Sequence, residues 1–151
     1  MHLTIRTAER GDSSTIASFN QRMAVETEDK TLVDDVIQAG VLAVISDSSR
    51  GTYYVACDGE RTVGQLMITL EWSDWRNGWF WWIQSVFVEP DARKHGVFRA
   101  LYAHVKQLAA ERDDVCGIRL YVEKENTRAQ ATYLSLGMDM THYLLMEEEF
   151  D

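Results

Sequence analysis

The chain has 151 residues and a mass of 17.3 kDa, with 46% hydrophobic and 26% charged residues, enough for one domain with a sizeable core and too apolar for intrinsic disorder. Fifteen Lys+Arg against 24 Asp+Glu set a net charge of −9, which argues against nucleic acid as a partner because an acidic surface repels phosphate backbones. No apolar run approaches the roughly 20 residues that span a bilayer, and Met1-His2-Leu3-Thr4-Ile5-Arg6 lacks the apolar stretch of a signal peptide, so the expectation is a single cytoplasmic domain over residues 1–151 with no membrane partner.

The opening Leu3-Thr4-Ile5 alternates like a short strand. Asp12 or Ser13 is placed to cap a helix carrying Ile16, Phe19 and Met23 on one face. Thr31, with Asp34 three residues on, signals a second helix with Leu32, Val36 and Ile37 as its stripe and Gly40 as its stop. The middle of the chain reads as sheet. Residues 52–57 are followed by Asp58-Gly59, a strong hairpin signal. Residues 62–72 form a second β-rich run, 73–78 a polar turn, and 79–88 a third, mostly apolar strand. After Pro90 the period changes, and Val97, Leu101, Val105 and Leu108 make a helical stripe. Residues 117–122 return to strand, 127–136 read as a helix ending at Gly137, and 142–146 as a last strand. Helices and strands alternate at both ends of an antiparallel middle, so the expected class is α+β with a mixed sheet.

The segment that carries chemistry covers residues 86–101. A strand ends at Pro90, a short polar turn follows, and a helix begins near Gly96. Such a turn points unpaired backbone N–H groups at one spot, and the helix dipole adds positive charge there. Arg93, Lys94, His95 and Arg99 surround it with basic groups in an otherwise acidic chain. The combination suits a pyrophosphate, although an ordinary strand–turn–helix with a solvated basic turn fits the spacing equally well.

This segment resembles the acetyl-CoA-binding motif of the GCN5-related N-acetyltransferases (the GNAT family), Arg/Gln-x-x-Gly-x-Gly/Ala after a strand ending in Val-x-Pro. Here the match is Arg93-x-x-Gly96-x-Phe98, with Phe98 in place of the last small residue. Residues 125–138 are similar to the family's Asn-x-x-Ala-x-x-x-Tyr-x-x-x-Gly-Phe segment, with Asn126 and Tyr133 in place and Met138 where Phe is usual. The order of elements agrees over nearly the whole chain.

The resemblance implies a mixed, mostly antiparallel central sheet flanked by about four helices, with residues 79–88 and 117–122 as a splayed parallel pair. It implies acetyl-CoA as acyl donor, its pantetheine arm lying between those strands and paired with backbone near Phe87 and Val88. A β-bulge in the first strand would aim one N–H at the thioester oxygen. The turn of Arg93, Lys94, His95, Gly96, Val97, Phe98 and Arg99 would hold the pyrophosphate. Tyr133 would protonate the departing thiolate, with packing on the sheet as its plain alternative, and Asn126 would touch the cofactor or simply cap the helix at Thr127.

Relatives often carry a catalytic Glu where this chain has Trp82, Gln84 and Ser85, none of them a good base. Glu71 and Asp74 are the nearest acidic candidates, acting directly or through water; for each singly, a solvated hairpin end is the commoner explanation. All five tryptophans fall between Trp72 and Trp82. Along the strand, Trp79 and Trp81 share one face while Phe80 and Trp82 share the other. Such crowding is most often core or a dimer surface; the sharper reading is an aromatic wall, with Trp72 and Trp82, over the acceptor site. In relatives the region between the first two helices borders that pocket, so Glu26, Glu28 and Asp29 would favour a cationic amine, unless they are merely solvated.

His2, His95, His104 and His142 show no metal-ligand spacing with one another or with Cys57 and Cys116, so no metal is expected. The expected activity is acetyl transfer from acetyl-CoA to a primary amine of a small cationic molecule, by direct attack in a ternary complex. The alternatives are an acyl-CoA-binding sensor or scaffold without transfer, and a structural dimerisation module built on the tryptophan strip. A homodimer is compatible with each of these.

Overall fold

The computed structural model of the protein describes residues 1–150. Two compact units make up the chain, Met1–Tyr121 and Val122–Asp151. In the first, the elements run β1 (Leu3–Thr7), a 3-10 turn (Arg10–Asp12), α1 (Ser13–Glu28), α2 (Asp34–Ser46), β2 (Thr52–Asp58), β3 (Arg61–Ser73), β4 (Gly78–Val88), a second 3-10 turn (Pro90–Ala92), α3 (Val97–Ala110) and β5 (Val115–Leu120). The sheet has the order β1-β2-β3-β4-β5. Its first three pairings are antiparallel and β4–β5 is parallel, the mixed sheet expected from the sequence. Gly59, at φ 63, closes the β2–β3 hairpin.

Strand alternation divides the core between two faces. On one, Tyr53, Val55 and Cys57 pack with Ile16 and Ala17 of α1 and Val41 of α2. Tyr54, Ala56, Gly64 and Leu66 alternate onto the other, which α3 covers with the buried Val97, Leu101 and Val105. Gly64 sets how close α3 comes: a Cβ there would stand 2.7 Å from Val97 Cγ1 and 3.3 Å from the Phe87 carbonyl oxygen.

Three local expectations change. The α1 N-cap is Asp12, but its carboxylate makes no cap bond; it accepts from Arg6 at 2.8 and 3.0 Å and from the Glu9 N–H at 2.7 Å. The second helix starts at Asp34 after Val33, not at Thr31, and runs through Gly40 to Ser46. A glycine inside a helix costs about 0.5–1 kcal/mol, whereas full burial of a Val side chain is worth about 1.5–3 kcal/mol. The burial of Val41 outweighs the break. β5 lies two residues earlier than the 117–122 expected.

In the second unit, α4 (Thr127–Ser135) is capped by Asn126, whose side-chain oxygen accepts from the Ala129 N–H at 3.0 Å. Gly137, at φ 101, takes the left-handed turn that ends it. The strand expected over 142–146 does not form. A strand requires a ladder partner, and among the described residues this unit has no second strand to supply one. Tyr143, Leu144, Leu145 and Met146 are exposed instead. Among the described residues no helix is long and apolar enough to cross a membrane.

Candidate active site

The parallel pair separates where the sequence resemblance places the acyl donor. β4 and β5 pair from Trp79↔Val115 to Ile83↔Leu120. Beyond that point β4 continues against β3 alone, leaving the β5-side edge of residues 84–88 without a strand beside it. The register on β3 jumps from Met67↔Gln84 to Gln65↔Phe87, so Ser85 and Val86 both face Leu66. This is the expected β-bulge, and Ser85 adopts φ 54 within it. Phe87 turns its ring into the core, 4.9 Å from that of Phe19, and so presents backbone rather than side chain at the open edge.

The turn after β4 is held at its root by ion pairs. Glu89 accepts both bonds of the Arg22 guanidinium, at 2.7 and 3.0 Å, while its N–H donates to the Val63 carbonyl at 2.8 Å. Arg61 bridges Glu89 and Asp91 at 3.7 and 2.8 Å. These guanidinium groups hold the Glu89 and Asp91 carboxyls below the usual carboxylate range. The turn then places Lys94 at φ 66 and Gly96 at φ 77, directly before α3. Two left-handed residues in three, followed by a helix N-terminus, make a concave run of N–H groups that suits an anion. The Lys94, His95 and Arg99 side chains are exposed around it, whereas Val97 is buried and contributes only backbone.

Arg93 behaves differently from its basic neighbours. Its guanidinium donates to both carboxylate oxygens of Glu26, the second at 2.9 Å, and to the Val88 carbonyl at 3.0 Å. The pair keeps the Glu26 carboxyl below its usual range. Glu26 and Glu28 lie in the last turn of α1 rather than in a loop. A carboxylate is disfavoured at a helix C-terminus, and Arg93 offsets that for Glu26. The residue expected to face an acceptor amine thus ties α1 to the end of β4.

Farther along β4 the register puts Thr69, Glu71, Phe80, Trp82 and Gln84 on one face. Glu71 Oε1 accepts from Trp82 Nε1 at 3.1 Å and from Arg119 Nη1 at 2.9 Å. The Arg119 guanidinium lies 3.5 Å from the Phe80 ring centroid, and Trp82 stacks on Tyr121 at 4.5 Å. Trp72, opposite Trp79, points to the other face. Trp72 and Trp82 therefore do not form one wall, because their strand positions differ in parity. Asp74 lies in the exposed β3–β4 turn and accepts only from the Trp75 N–H at 3.0 Å among the described bonds. Arg119 and Tyr121 carried no sequence signal; the β4–β5 pairing sets Arg119 beside Trp82, and Tyr121, one residue past the end of β5, reaches Trp82 by ring stacking.

In the second unit, Tyr133 lies on α4 and burial pushes its phenol above the usual value. Asn126 uses its side-chain oxygen as the α4 cap, the plainer of its two expected roles.

A mixed sheet whose parallel pair parts at a bulge, followed by an anion-cradling turn into a helix, is the architecture of the acetyltransferase fold. Residues 16–138 match the family described as Acetyltransferase (GNAT), and the chain belongs to that family. A possible acetyltransferase from Clostridium difficile 630 is 44% identical with a TM-score of 0.93, covering 100% of this chain and 99% of the other. A predicted acetyltransferase from Clostridium acetobutylicum, solved with acetyl-CoA, shares 17% identity and a TM-score of 0.80 over 97% and 96% of the chains. AAC(6')-Iy, solved in complex with the bisubstrate analog CoA-S-monomethyl-acetylneamine, shares 16% identity and a TM-score of 0.78 over 100% of both; these last two show the fold alone. No curated protein matches the sequence.

Proposed function

We propose that the protein transfers the acetyl group of acetyl-CoA to a primary amine of a small cationic molecule, within a ternary complex. The observation that carries this reading is the pairing of the open β4 edge at residues 84–88 with the left-handed turn before α3. The first offers backbone to an extended arm; the second offers N–H groups to phosphate. The amine nitrogen attacks the thioester carbon, the C–S bond breaks, and the thiolate takes the Tyr133 proton while the amine's proton leaves to solvent. A bulge N–H stabilises the oxyanion between those steps. Glu71 and Asp74 are the carboxylates retained as candidates for relaying the amine proton through water, and Trp82 and Glu28 as candidates for meeting the acceptor.

A second reading, an acyl-CoA sensor without transfer, draws support from Trp82 standing where relatives often carry a catalytic Glu. Release of CoA in an amine screen separates the two. As part of the main reading the protein is a cytoplasmic homodimer, which the exposed apolar residues Tyr143, Leu144, Leu145 and Met146 support; light scattering that returns only the 17.3 kDa chain mass would remove the dimer.

Cofactor use is tested first by thermal unfolding. Acetyl-CoA at about 100 times its dissociation constant adds about 2.7 kcal/mol, a rise of roughly 5–10 °C for a chain of this length. The rise is expected with acetyl-CoA and CoA but not with ATP. No shift at millimolar acetyl-CoA overturns the reading.

A further inference from the structure

The bulge of β4 is gripped from β3 by a side chain that the reaction as proposed does not otherwise use. Gln65 is fully buried. Its Nε2 donates to the Ser85 carbonyl at 3.0 Å and to Asn20 Oδ1 at 3.2 Å. Asn20, itself buried on α1, donates through Nδ2 to the Tyr53 hydroxyl at 3.4 Å. The amide of Gln65 is thereby oriented: turned over, it would bring Oε1 against two acceptor oxygens. In the orientation it holds, Oε1 is buried with no hydrogen-bond partner among the described residues. An unpaired buried acceptor is unfavourable, so the two bonds that Nε2 donates maintain this orientation against that cost.

We infer that Gln65 is a positioning residue for acetyl transfer, one that aims the bulge N–H through the Ser85 carbonyl. A trans peptide carries its C=O and its N–H on opposite sides. Drawing the Ser85 carbonyl up to the Gln65 amide on the α1 face of the sheet turns the Val86 N–H to the opposite side of that peptide, away from Gln65 and α1, in the stretch of β4 that has no strand on its β5-side edge. Ser85 takes φ 54 to allow this, a conformation that a non-glycine residue holds only when its surroundings enforce it. Asn20 and Tyr53 hold Gln65, Gln65 holds Ser85, and the Val86 N–H is the group delivered to the oxyanion. The inference rests on the acetyl-transfer reading and adds a residue to it.

The test compares Gln65→Leu and Gln65→Glu with the wild type by steady-state kinetics, acetyl-CoA thermal shift, and the Val86 amide resonance in nitrogen-15 NMR. For Gln65→Leu, kcat is expected to fall about 10- to 100-fold, somewhat less than deletion of an oxyanion donor, with the thermal shift retained. The Val86 amide resonance should move, and its response to acetyl-CoA should shrink. Gln65→Glu restores a donor only when its buried carboxyl is protonated, so its activity relative to wild type should rise as pH falls; a purely structural role would lower the melting temperature in step with activity as pH rises and leave the response of the Val86 amide to acetyl-CoA intact. If Gln65→Leu does not fold, the Glu profile and its Val86 resonance decide. A Val86 amide and a kcat unchanged in both variants overturn the inference. Absence of turnover in the wild type would instead count against the acetyl-transfer reading, and the Val86 resonance would still report whether Gln65 sets the bulge.

Discussion

Tyr133→Phe should lower kcat by about 100-fold or more, the usual scale for removing a general acid, while leaving the acetyl-CoA thermal shift in place. The substitution removes one oxygen from a half-buried side chain, and the retained thermal shift separates a loss of chemistry from a loss of fold. The sign of the pH dependence follows from the direction of its pKa. Burial raises the Tyr133 phenol above its usual 10.0, and an acid must be protonated to act. The phenol is therefore competent throughout the neutral range, and wild-type kcat should decline only as pH rises through that elevated value. The variant lacks that alkaline decline but keeps the rising limb set by deprotonation of the acceptor amine. Turnover unchanged at every pH would remove Tyr133 from the mechanism.

The second large effect is expected from one added methyl group. Gly64→Ala places a Cβ 2.7 Å from Val97 Cγ1 and 3.3 Å from the Phe87 carbonyl oxygen. The first contact is with a buried β-branched side chain in the first turn of α3, the second with backbone of β4, and neither has room to yield. Overpacking of this kind costs about 1–3 kcal/mol. The relief available is a shift of the α3 N-terminus, which moves the Lys94–Gly96 turn with it. Acetyl-CoA affinity should then weaken by about tenfold, equivalent to about 1.4 kcal/mol. Gly40→Ala is the matched control: nothing lies within 4 Å of its added Cβ, and the change should stabilise α2 by about 0.5–1 kcal/mol. Calorimetry with acetyl-CoA checks both. Wild-type affinity in Gly64→Ala would show that the turn is not anchored through Val97.

The Gly64 effect turns on how a strand edge and a helix N-terminus are kept in fixed relation within the first unit. Arg22, Arg61, Glu89 and Asp91 fasten the turn from outside, and Gly64 admits Val97 from below. Most of these ion pairs are substantially exposed and individually worth little. The buried contacts of Gly64 and Gln65 are the ones whose loss should be felt.

The reading of Gly40 and of residues 142–146 shows where local pattern stops being informative. Glycine propensity and a β-rich run are both short-range signals. Each was overruled by a partner, present in one case as the core around Val41 and absent in the other as a missing ladder among the described residues. The Asp58-Gly59 hairpin, the helical stripe from Val97 and the cap at Asn126 are all present in the structure, because each is decided by residues within a turn or two of itself. For the same reason the turn from Arg93 to Arg99 was legible: its chemistry is that of consecutive backbone N–H groups.

The sequence by itself determined the class of sheet, the motif-bearing turn and the family, all of which rest on short spacings and on element order. Only the tertiary structure decided that Arg93 takes Glu26, that Arg119 takes Glu71, that Trp72 and Trp82 stand on opposite faces, and that Gln65 grips the bulge. Glu26 and Arg93 are separated by 67 positions and Glu71 and Arg119 by 48. Strand register and helix packing choose such partners, and a one-residue slip in register would send the strand side chains among them, Gln65, Glu71, Trp72, Trp82 and Arg119, to the other face.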